Sequence, residues 1–325
     1  MGRGARNNDA TTAAARASAE DIRLSLRNRS VRPDGRGPAW ADSAYAAARQ
    51  LIRDRPADQI SNGVSVWTNS AGHAHREEDL PAVVVEPAAT AVIEGLKDEA
   101  MIARLDGGGS IWARDGVPHR DYGPAVETAA GHVEYWRRGF RHRTDGPAVQ
   151  RQSADGSVYE EYYVDGLLHR DDGPAVIGPD TGGEWYVEGR RHRDGDLPAV
   201  IRRDGSQQWF VDGELHRDGD QPAAIDANGT RQWAKHGKTH RDGDLPAVEH
   251  HSGRRDYFRD GKRHRDGGQP ARVYVNGKRE WWVAGKRHRA DGPAVVDAAG
   301  NETFYWQGKK VDAAEHAALR LRAAA

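Results

Sequence analysis

A phrase of eight or nine residues recurs along the chain and constrains its fold more than any other feature. It begins with His-Arg, continues with acidic or glycine residues, and ends in Pro-Ala, as in HRTDGPAV and HRDGDLPAV. Its histidines are His75, His119, His142, His169, His192, His216, His240, His264 and His288. From His119 onward the steps are 23, 27, 23, 24, 24, 24 and 24 residues. Such a period indicates a stack of supersecondary units that bury their faces against one another.

Each repeat also carries turn and strand signals. An aromatic pair precedes a glycine that stands three residues before the histidine, as in Trp209-Phe210 before Gly213. Two turn dipeptides occur per repeat, for example Asp204-Gly205 and Asp212-Gly213, and such pairs favour type I′ hairpin turns. The pattern predicts one strand over 207–211, a second from the Pro-Ala segment, and a third short strand near the histidine.

The period decides between β architectures. A propeller blade needs roughly 40–45 residues, so a repeat of about 24 is too short for one. We expect an all-β repeat array, an elongated antiparallel β-sheet or β-solenoid, with helical N-terminal and C-terminal flanks. The array is predicted over 61–311, with a helical insertion at about 88–105. The segment 1–60 is basic, rich in Ala and Arg, and predicted to be helical or partly disordered, while 312–325 is predicted to be a capping helix that covers a strand edge.

Composition excludes several classes of function. The 325 residues include 48 basic and 49 acidic side chains, so a net charge of −1 argues against nucleic acid or an anionic membrane as the main partner. The chain has no cysteine, which excludes disulfides and thiol chemistry. It shows no apolar stretch of about 18 residues and no secretory signal. We expect a cytoplasmic protein, or a virion-associated one if its origin is a phage; the oligomeric state stays open.

The pattern Trp/Tyr-x-x-x-Gly-x-x-His-Arg-x-Asp-Gly-Pro-Ala resembles tandem β-hairpin arrays of phage, bacterial and giant-virus proteins. The resemblance covers roughly 64–84 and 109–308. The period and glycine-anchored hairpins are also loosely similar to MORN repeats, although their paired Gly-x-Gly is missing and His-Arg and Pro-Ala are added. The MORN resemblance implies a scaffold or adaptor, sometimes one that contacts lipid, and it implies no active-site residue.

The repeated histidines and arginines allow two interpretations each. Stacked histidines lie at least one strand spacing apart, about 4.8 Å, so they cannot readily share one zinc ion, and we predict no metal site. The arginines either pair with aspartates of the same or adjacent repeat or form a basic stripe for a phosphate or carboxylate partner. On the second interpretation the candidate binding residues are Arg143, Arg170, Arg193, Arg217, Arg241, Arg265 and Arg289.

The aromatic pairs divide into two columns. The first ring of each pair is predicted to form the core, because the chain is poor in Leu and Phe. These rings belong to Trp112, Tyr135, Tyr162, Trp185, Trp209, Trp233, Tyr257, Trp281 and Phe304. The second ring points to the opposite face and is the better candidate for surface binding. We select Tyr186, Phe210 and Trp282 for that role.

No motif indicates catalysis or a cofactor. The sequence lacks Gly-x-Ser-x-Gly, a phosphate loop and His-Glu-x-x-His. A residue repeated in every unit is set by the architecture, whereas a catalytic group is needed once. We therefore expect a non-catalytic scaffold or adaptor, without a cofactor, that presents an extended surface to a protein partner. The alternative is an array that binds glycans or lipid headgroups through its exposed aromatics and arginines.

Overall fold

The computed structural model describes residues 59–61, 63–77, 79–86, 105 and 107–324. It divides into two compact units, Met1–Phe140 and Arg141–Ala325. The predicted N-terminal flank, up to residue 58, and the predicted insertion, apart from Leu105, lie outside the described residues.

The second unit is an antiparallel β-structure in which strands follow one another in chain order. Each repeat adds two strands to its main sheet; Val200, for example, is in register with Gln208, and Gln208 with Ala224. The prediction of an all-β antiparallel repeat fold is confirmed at this level. The main-sheet strands are Val149–Gln152, Val158–Glu161, Val176–Gly178, Thr181–Glu184, Val200–Arg202, Gln207–Gln208, Ala224–Ile225, Arg231–Gln232, Val248–Glu249, Arg255–Asp256, Arg272–Val273, Arg279–Glu280, Val295–Val296 and Glu302–Trp306, and Glu302–Trp306 also pairs with Lys309–Val311.

A two-stranded hairpin stands beside the main sheet in each repeat. The predicted continuous strand over 207–211 is wrong, because it is split at Trp209. The Trp209 N–H donates to the Ala223 carbonyl at 2.8 Å and the Trp209 carbonyl accepts from the His216 N–H at 3.0 Å, which carries the chain out of the sheet. Each repeat therefore has four short strands instead of three. The hairpins are Tyr163–Val164 with Leu167–Leu168, Tyr186–Val187 with Arg190–Arg191, Phe210–Val211 with Glu214–Leu215, Ala234–Lys235 with Lys238–Thr239, Phe258–Arg259 with Lys262–Arg263, and Trp282–Val283 with Lys286–Arg287.

The two turns of a repeat differ in type. In the hairpin turn, Asp212 and Gly213 both have positive φ, at 50° and 83°, as the type I′ prediction requires. In the main-sheet turn only Gly205 has positive φ, at 88°, so the type I′ prediction is wrong there. Asp204 accepts instead from the Ser206 N–H at 2.8 Å, and this side-chain bond stabilises a turn in which glycine alone takes the left-handed conformation.

The first unit has the same elements in fewer copies. A cluster of aliphatic side chains, including Val64, Val83, Ile111 and Val126, forms its core. The main-sheet strands are Gln59–Ser61, Val64–Val66, Val83–Val85, Gly109–Ile111, Val126–Thr128 and Val133–Glu134. Ala113–Arg114 pairs with Val117–Pro118, and Trp136–Arg137 is a short strand near the end of the unit. The short strand Phe140–Arg141 includes the last residue of the first unit and the first residue of the second.

Small and aromatic residues share the core of the repeats. The alanine of each Pro-Ala segment is fully buried, as at Ala199, Ala223 and Ala247. The first aromatic ring is buried at Trp112, Trp209, Trp233, Tyr257 and Trp281, which confirms the predicted core role at these five positions. The other four rings of the column are half-buried.

The C-terminal segment is helical, as predicted. The helix Ala313–Ala324 packs its buried His316 against the last strand pair, where the ring lies 5.1 Å from that of Phe304 and 5.5 Å from that of Trp306. In the part of the chain that the structure describes, no helix is long and apolar enough to cross a membrane.

Candidate functional site

Each repeated histidine joins its own repeat to the next one. His240 Nδ1 accepts the backbone N–H of Asp260 at 3.1 Å, and its Nε2 faces Asp242 Oδ1 at 2.9 Å. Nine histidines, from His75 to His288, accept a turn N–H of the following repeat in this way at 3.0–3.3 Å. The histidine column is therefore accounted for by contacts between repeats.

The arginine that follows the histidine places its guanidinium over the first aromatic ring in seven repeats from His119 onward. The guanidinium carbon of Arg217 is 3.9 Å from the centre of the Trp209 ring, and Nη1 donates to the Pro222 carbonyl at 3.3 Å. The remaining edge binds Asp196 of the preceding repeat, through Nε at 2.7 Å and Nη2 at 3.0 Å. Guanidinium and carboxylate match in this two-bond arrangement, which fixes direction as well as charge.

The length of the loop after His-Arg determines which arginine its aspartate binds. The longer HRDGD loops give their last aspartate to the next repeat, as in Asp220 with Arg241 and Asp244 with Arg265. In the shorter HRxDG loops the aspartate binds the arginine of the same loop. These pairs are Arg143 with Asp145, Arg170 with Asp172 and Arg289 with Asp291. Six of the seven candidate arginines thus have a carboxylate partner, and Arg193 has none among the described residues.

These contacts change the ionisation of the paired groups. The hydrogen bond from Arg217 holds the pKa of Asp196 below its ordinary value, and Arg241 does the same for Asp220. The hydrogen bond to Asp244 raises the pKa of Arg265. The pairs stay charged at neutral pH, and the paired arginines carry little unbalanced charge.

The second aromatic rings are half-buried and covered by arginines of a different column. Arg191 lies between Tyr186 and Phe210, with its guanidinium carbon 5.7 Å and 5.5 Å from the two ring centres. Trp282 is flanked in the same way by Arg263 and Arg287, at 4.9 Å and 5.0 Å. The candidates Tyr186, Phe210 and Trp282 therefore share their faces with cations of the chain itself, and their role in binding stays a prediction.

Buried carboxylates lie beside this stack. Asp256 is 3% exposed and binds Arg272 through two hydrogen bonds, of 2.7 Å and 3.1 Å. Burial acts to raise the pKa of Asp256, but the hydrogen bond and charge of Arg272 outweigh it and hold that pKa below its ordinary value. Glu280, 1% exposed, accepts from Trp282 Nε1 at 3.1 Å and faces Lys278 Nζ at 3.0 Å. Both carboxylates are thus bound by side chains of the chain itself, and we assign them a structural role.

The outer face of the hairpins carries a set of cations that the sequence analysis missed. We call the residue after each hairpin glycine the outer row; in the second unit its members are Leu167, Arg190, Glu214, Lys238, Lys262, Lys286 and Lys309. Successive hairpins stack closely, since a Cβ placed on Gly261 would lie 3.8 Å from the Lys238 Cβ, and one on Gly285 equally far from the Lys262 Cβ. The last four members are exposed lysines, one on each successive hairpin.

These four lysines have no counter-ion among the described residues, in contrast to Lys235 and Lys278. Lys235 lies 3.7 Å from Asp242, and Lys278 lies 3.0 Å from Glu280. Lys238, Lys262, Lys286 and Lys309 form no ion pair with any residue that the structure describes. Two main-sheet strands per repeat, at about 4.8 Å each, place consecutive lysines roughly 10 Å apart. Lining up the repeats at the hairpin glycine would have found this row in the sequence.

The net charge of the chain is near zero because two oppositely charged segments of the second unit cancel each other. Residues 141–230 have 10 arginines and lysines against 18 acids, a net of −8. Residues 231–311 have 18 against 10, a net of +8. The near-zero net charge of the whole chain therefore does not exclude an anionic partner for the segment that holds the lysines of the outer row.

Comparisons with known proteins identify no family. No protein-family model matches this chain, and no curated protein is significantly similar to it. The resemblance to tandem hairpin arrays and to MORN repeats therefore stays a prediction. Within the described residues no group of three or more His, Cys, Asp or Glu is arranged to hold a metal ion.

Proposed function

We propose that the chain is a non-catalytic repeat scaffold that binds a protein partner along its outer row, and that the partner contributes an acidic segment. The observation that carries this proposal is the line of four exposed lysines without counter-ions on consecutive hairpins. An unbalanced line of charge attracts an opposite charge and speeds its association.

The division between constant and varied positions supports a scaffold. The His, the first aromatic residue and the buried Ala take part in the same backbone hydrogen bonds in successive repeats, as in those of Trp209 and Trp233. The outer row changes from Leu167 through Glu214 to Lys309 without altering these contacts. In an open array, where each repeat touches only its neighbours, such positions are free to specify a partner.

Charge also favours a short acidic segment over a long nucleic acid. Four lysines at roughly 10 Å intervals extend over about 30 Å. The adjacent segment 141–230 carries −8 and would repel a phosphodiester chain that ran past the lysines. An acidic stretch of a protein can be as short as the row of lysines, so it need not run past the negatively charged segment 141–230.

The test measures binding of a fluorescent poly-glutamate peptide to the full chain by anisotropy at two salt concentrations. Replacing Lys238, Lys262, Lys286 and Lys309 by Ser should weaken binding about tenfold or more, a loss of about 1.4 kcal/mol. The matched control replaces four exposed arginines outside the outer row, Arg202, Arg255, Arg320 and Arg322, by Ser and should change affinity less than threefold. Equal losses in both variants would contradict the proposal, as would tighter binding of a single-stranded oligonucleotide of equal charge.

The lysine row also favours one form of the alternative, an array that binds anionic lipid headgroups. The same two variants can be tested on vesicles of phosphatidylcholine with and without phosphatidylserine. Binding that depends on phosphatidylserine and on the four lysines, without binding of poly-glutamate, would make the lipid the partner. The glycan form of the alternative has less support, because arginines cover the second aromatic rings.

A further inference from the structure

Arg193 breaks the pairing rule of its column. Seven of the eight arginines from Arg120 to Arg289 bind an aspartate carboxylate through Nε. Among the described residues no carboxylate binds Arg193, whose guanidinium contacts the Trp185 ring and the Pro198 carbonyl.

The order of loop lengths explains this exception. Arg193 begins a longer loop, whose Asp196 binds Arg217 of the following repeat. The preceding repeat has the shorter loop, whose Asp172 binds its own Arg170 at 2.7 Å. A shorter loop followed by a longer one therefore leaves one arginine without an acid.

Where a longer loop is followed by a shorter one, two aspartates could compete for one arginine, but the sequence avoids this. Asp79 binds Arg120, and the shorter loop of Arg120 has Tyr122 where its own aspartate would stand. At the other end Arg289 uses its own Asp291, and the preceding loop has Gly268 instead of an aspartate. An aspartate is thus absent where two would compete for one arginine. Among the eight arginines from Arg120 to Arg289, Arg193 is the one without an aspartate partner in the described residues.

The guanidinium of Arg193 is nevertheless held in the same geometry as its paired counterparts. Its carbon lies 3.7 Å from the Trp185 ring centre, compared with 3.9 Å for Arg217 over Trp209. Nη1 donates to the Pro198 carbonyl at 3.1 Å, as Arg217 does to Pro222 at 3.3 Å. Nε and Nη2 are the two atoms that bind Asp196 in the Arg217 repeat, and in Arg193 they are available.

We propose that this edge of Arg193 is a binding site for a carboxylate, supplied by an Asp or Glu side chain of the partner protein. The inference rests on the proposed scaffold function for the source of the carboxylate. The ligand class follows from the paired repeats, where the same two nitrogens hold a carboxylate at 2.6–2.8 Å and 2.7–3.0 Å in the longer-loop pairs of Arg217, Arg241 and Arg265. The site is preorganised, because stacking and the proline contact already fix the guanidinium before the ligand arrives.

Among the described residues, the immediate contacts of Arg193 leave its charge without a counter-ion, within a segment, 141–230, whose net charge is −8. Partial burial lowers the pKa of Arg193, since part of its hydration has been lost without compensation by an acid. The two nearest aspartates in sequence are already engaged, since Asp194 faces His192 Nε2 at 3.1 Å and Asp196 binds Arg217. Asp172 of the preceding repeat binds Arg170. A carboxylate bound here would restore the ion pair that the other repeats contain.

The test follows the Nε–Hε signals of arginine by NMR in the full, nitrogen-15-labelled chain. Sodium acetate is titrated against sodium chloride at constant ionic strength, and Arg193→Lys identifies the Arg193 signal. We expect the Arg193 signal to shift saturably with acetate, while the signals of Arg217, Arg241 and Arg265 do not move.

A second variant gives an internal positive control. Asp196→Asn removes the carboxylate from Arg217 and should produce a second acetate-responsive signal, with a shift comparable to that of Arg193. An Arg193 signal that ignores acetate while Arg217 responds in Asp196→Asn would overturn the proposal. So would an Arg193 signal that moves on Asp172→Asn, because Asp172 would then already occupy the site.

The experiment separates this inference from the proposed function, because acetate binding needs no protein partner. A saturable Arg193 response, together with poly-glutamate binding that does not depend on the outer-row lysines, would keep the carboxylate site and remove the proposed acidic partner. The reverse pattern would keep the scaffold and remove the site.

Discussion

His240 Nδ1 accepts the backbone N–H of Asp260, which lies in the next repeat, at 3.1 Å. The accepting role requires that Nδ1 be unprotonated and that Nε2, which faces Asp242 at 2.9 Å, carry the proton. One imidazole thus closes the loop of its own repeat and binds the hairpin turn of the following one.

The first prediction measures how much the hydrogen bond accepted by His240 Nδ1 contributes to the stability of the fold. His240→Ala leaves the Asp260 N–H without a partner and should destabilise the chain by about 1–2 kcal/mol. His240→Asn offers a side-chain oxygen near the position of Nδ1 and should recover at least half of that loss. Urea unfolding of both variants measures the difference, and equal stabilities would show that the Nδ1 contact contributes nothing.

The second prediction compares the two stacked side chains of one repeat. Trp209 is 6% exposed and its Nε1 donates to the Asp196 carbonyl at 3.1 Å, so Trp209→Ala should cost about 3–5 kcal/mol. Arg217 pairs with an Asp196 carboxylate that is 60% exposed, so Arg217→Ala should cost about 1–2 kcal/mol, including the stacking. Thermal unfolding checks the order, and an unchanged melting temperature for Trp209→Ala would remove that ring from the core.

Particular residues show how far the sequence alone could lead. The period, the core role of Trp209 and the hairpin turn at Asp212-Gly213 follow from local patterns, because spacing and turn chemistry express themselves within one repeat. The pairing of Asp196 with Arg217 could not be derived in the same way, because it depends on which loops are neighbours across the sheet. The split of the strand at Trp209 was missed because a run of β-formers gives no local sign that the chain leaves one sheet for a hairpin.

The third prediction concerns acid. The pKa of Asp256 is lower in the folded chain than its ordinary value, so its ion pair with Arg272 stabilises the fold above the ordinary carboxyl pKa, near 4. That contribution is lost as the pH falls through the folded pKa. At pH 7 Asp256→Asn leaves Arg272 partly buried without its counter-ion and should cost about 3 kcal/mol or more.

The measurement is the free energy of unfolding in urea from pH 7 to pH 3 for both proteins. The gap between wild type and Asp256→Asn should narrow as the pH falls below about 4. A gap that stays constant over this range would mean that Asp256 does not ionise as described. Asp226→Asn, a change in an exposed turn, serves as the control and should leave the pH profile nearly unchanged.

The fourth prediction uses a residue in an unfavourable backbone conformation. Ala284 occupies the first position of a hairpin turn with φ at 47°, a region that costs an L-residue roughly 1–2 kcal/mol. Ala284→Gly should therefore stabilise the chain by up to about 1 kcal/mol after the larger chain entropy of glycine is subtracted. The control Ala290→Gly, at an exposed position without positive φ, should be neutral or destabilising, and a lower melting temperature for Ala284→Gly would contradict the turn geometry.

We infer that repeats of the longer-loop type are interchangeable, because each contacts its neighbours through equivalent histidine and arginine contacts, as at His216 and His240. Deleting residues 214–237 removes one whole period and joins Gly213 to Lys238, so that Asp196 meets Arg241 in place of Arg217. Deleting residues 214–225 removes half a period and with it His216, Arg217 and the buried Ala223.

The most direct measurement is the thermal unfolding of these two deletion variants beside the full chain, followed by circular dichroism. We expect the whole-period deletion to unfold cooperatively with a modestly lower melting temperature, because one equivalent interface replaces another. The half-period deletion should be unfolded or far less stable. If the whole-period deletion is as unstable as the half-period one, the repeats are not interchangeable and the account is wrong.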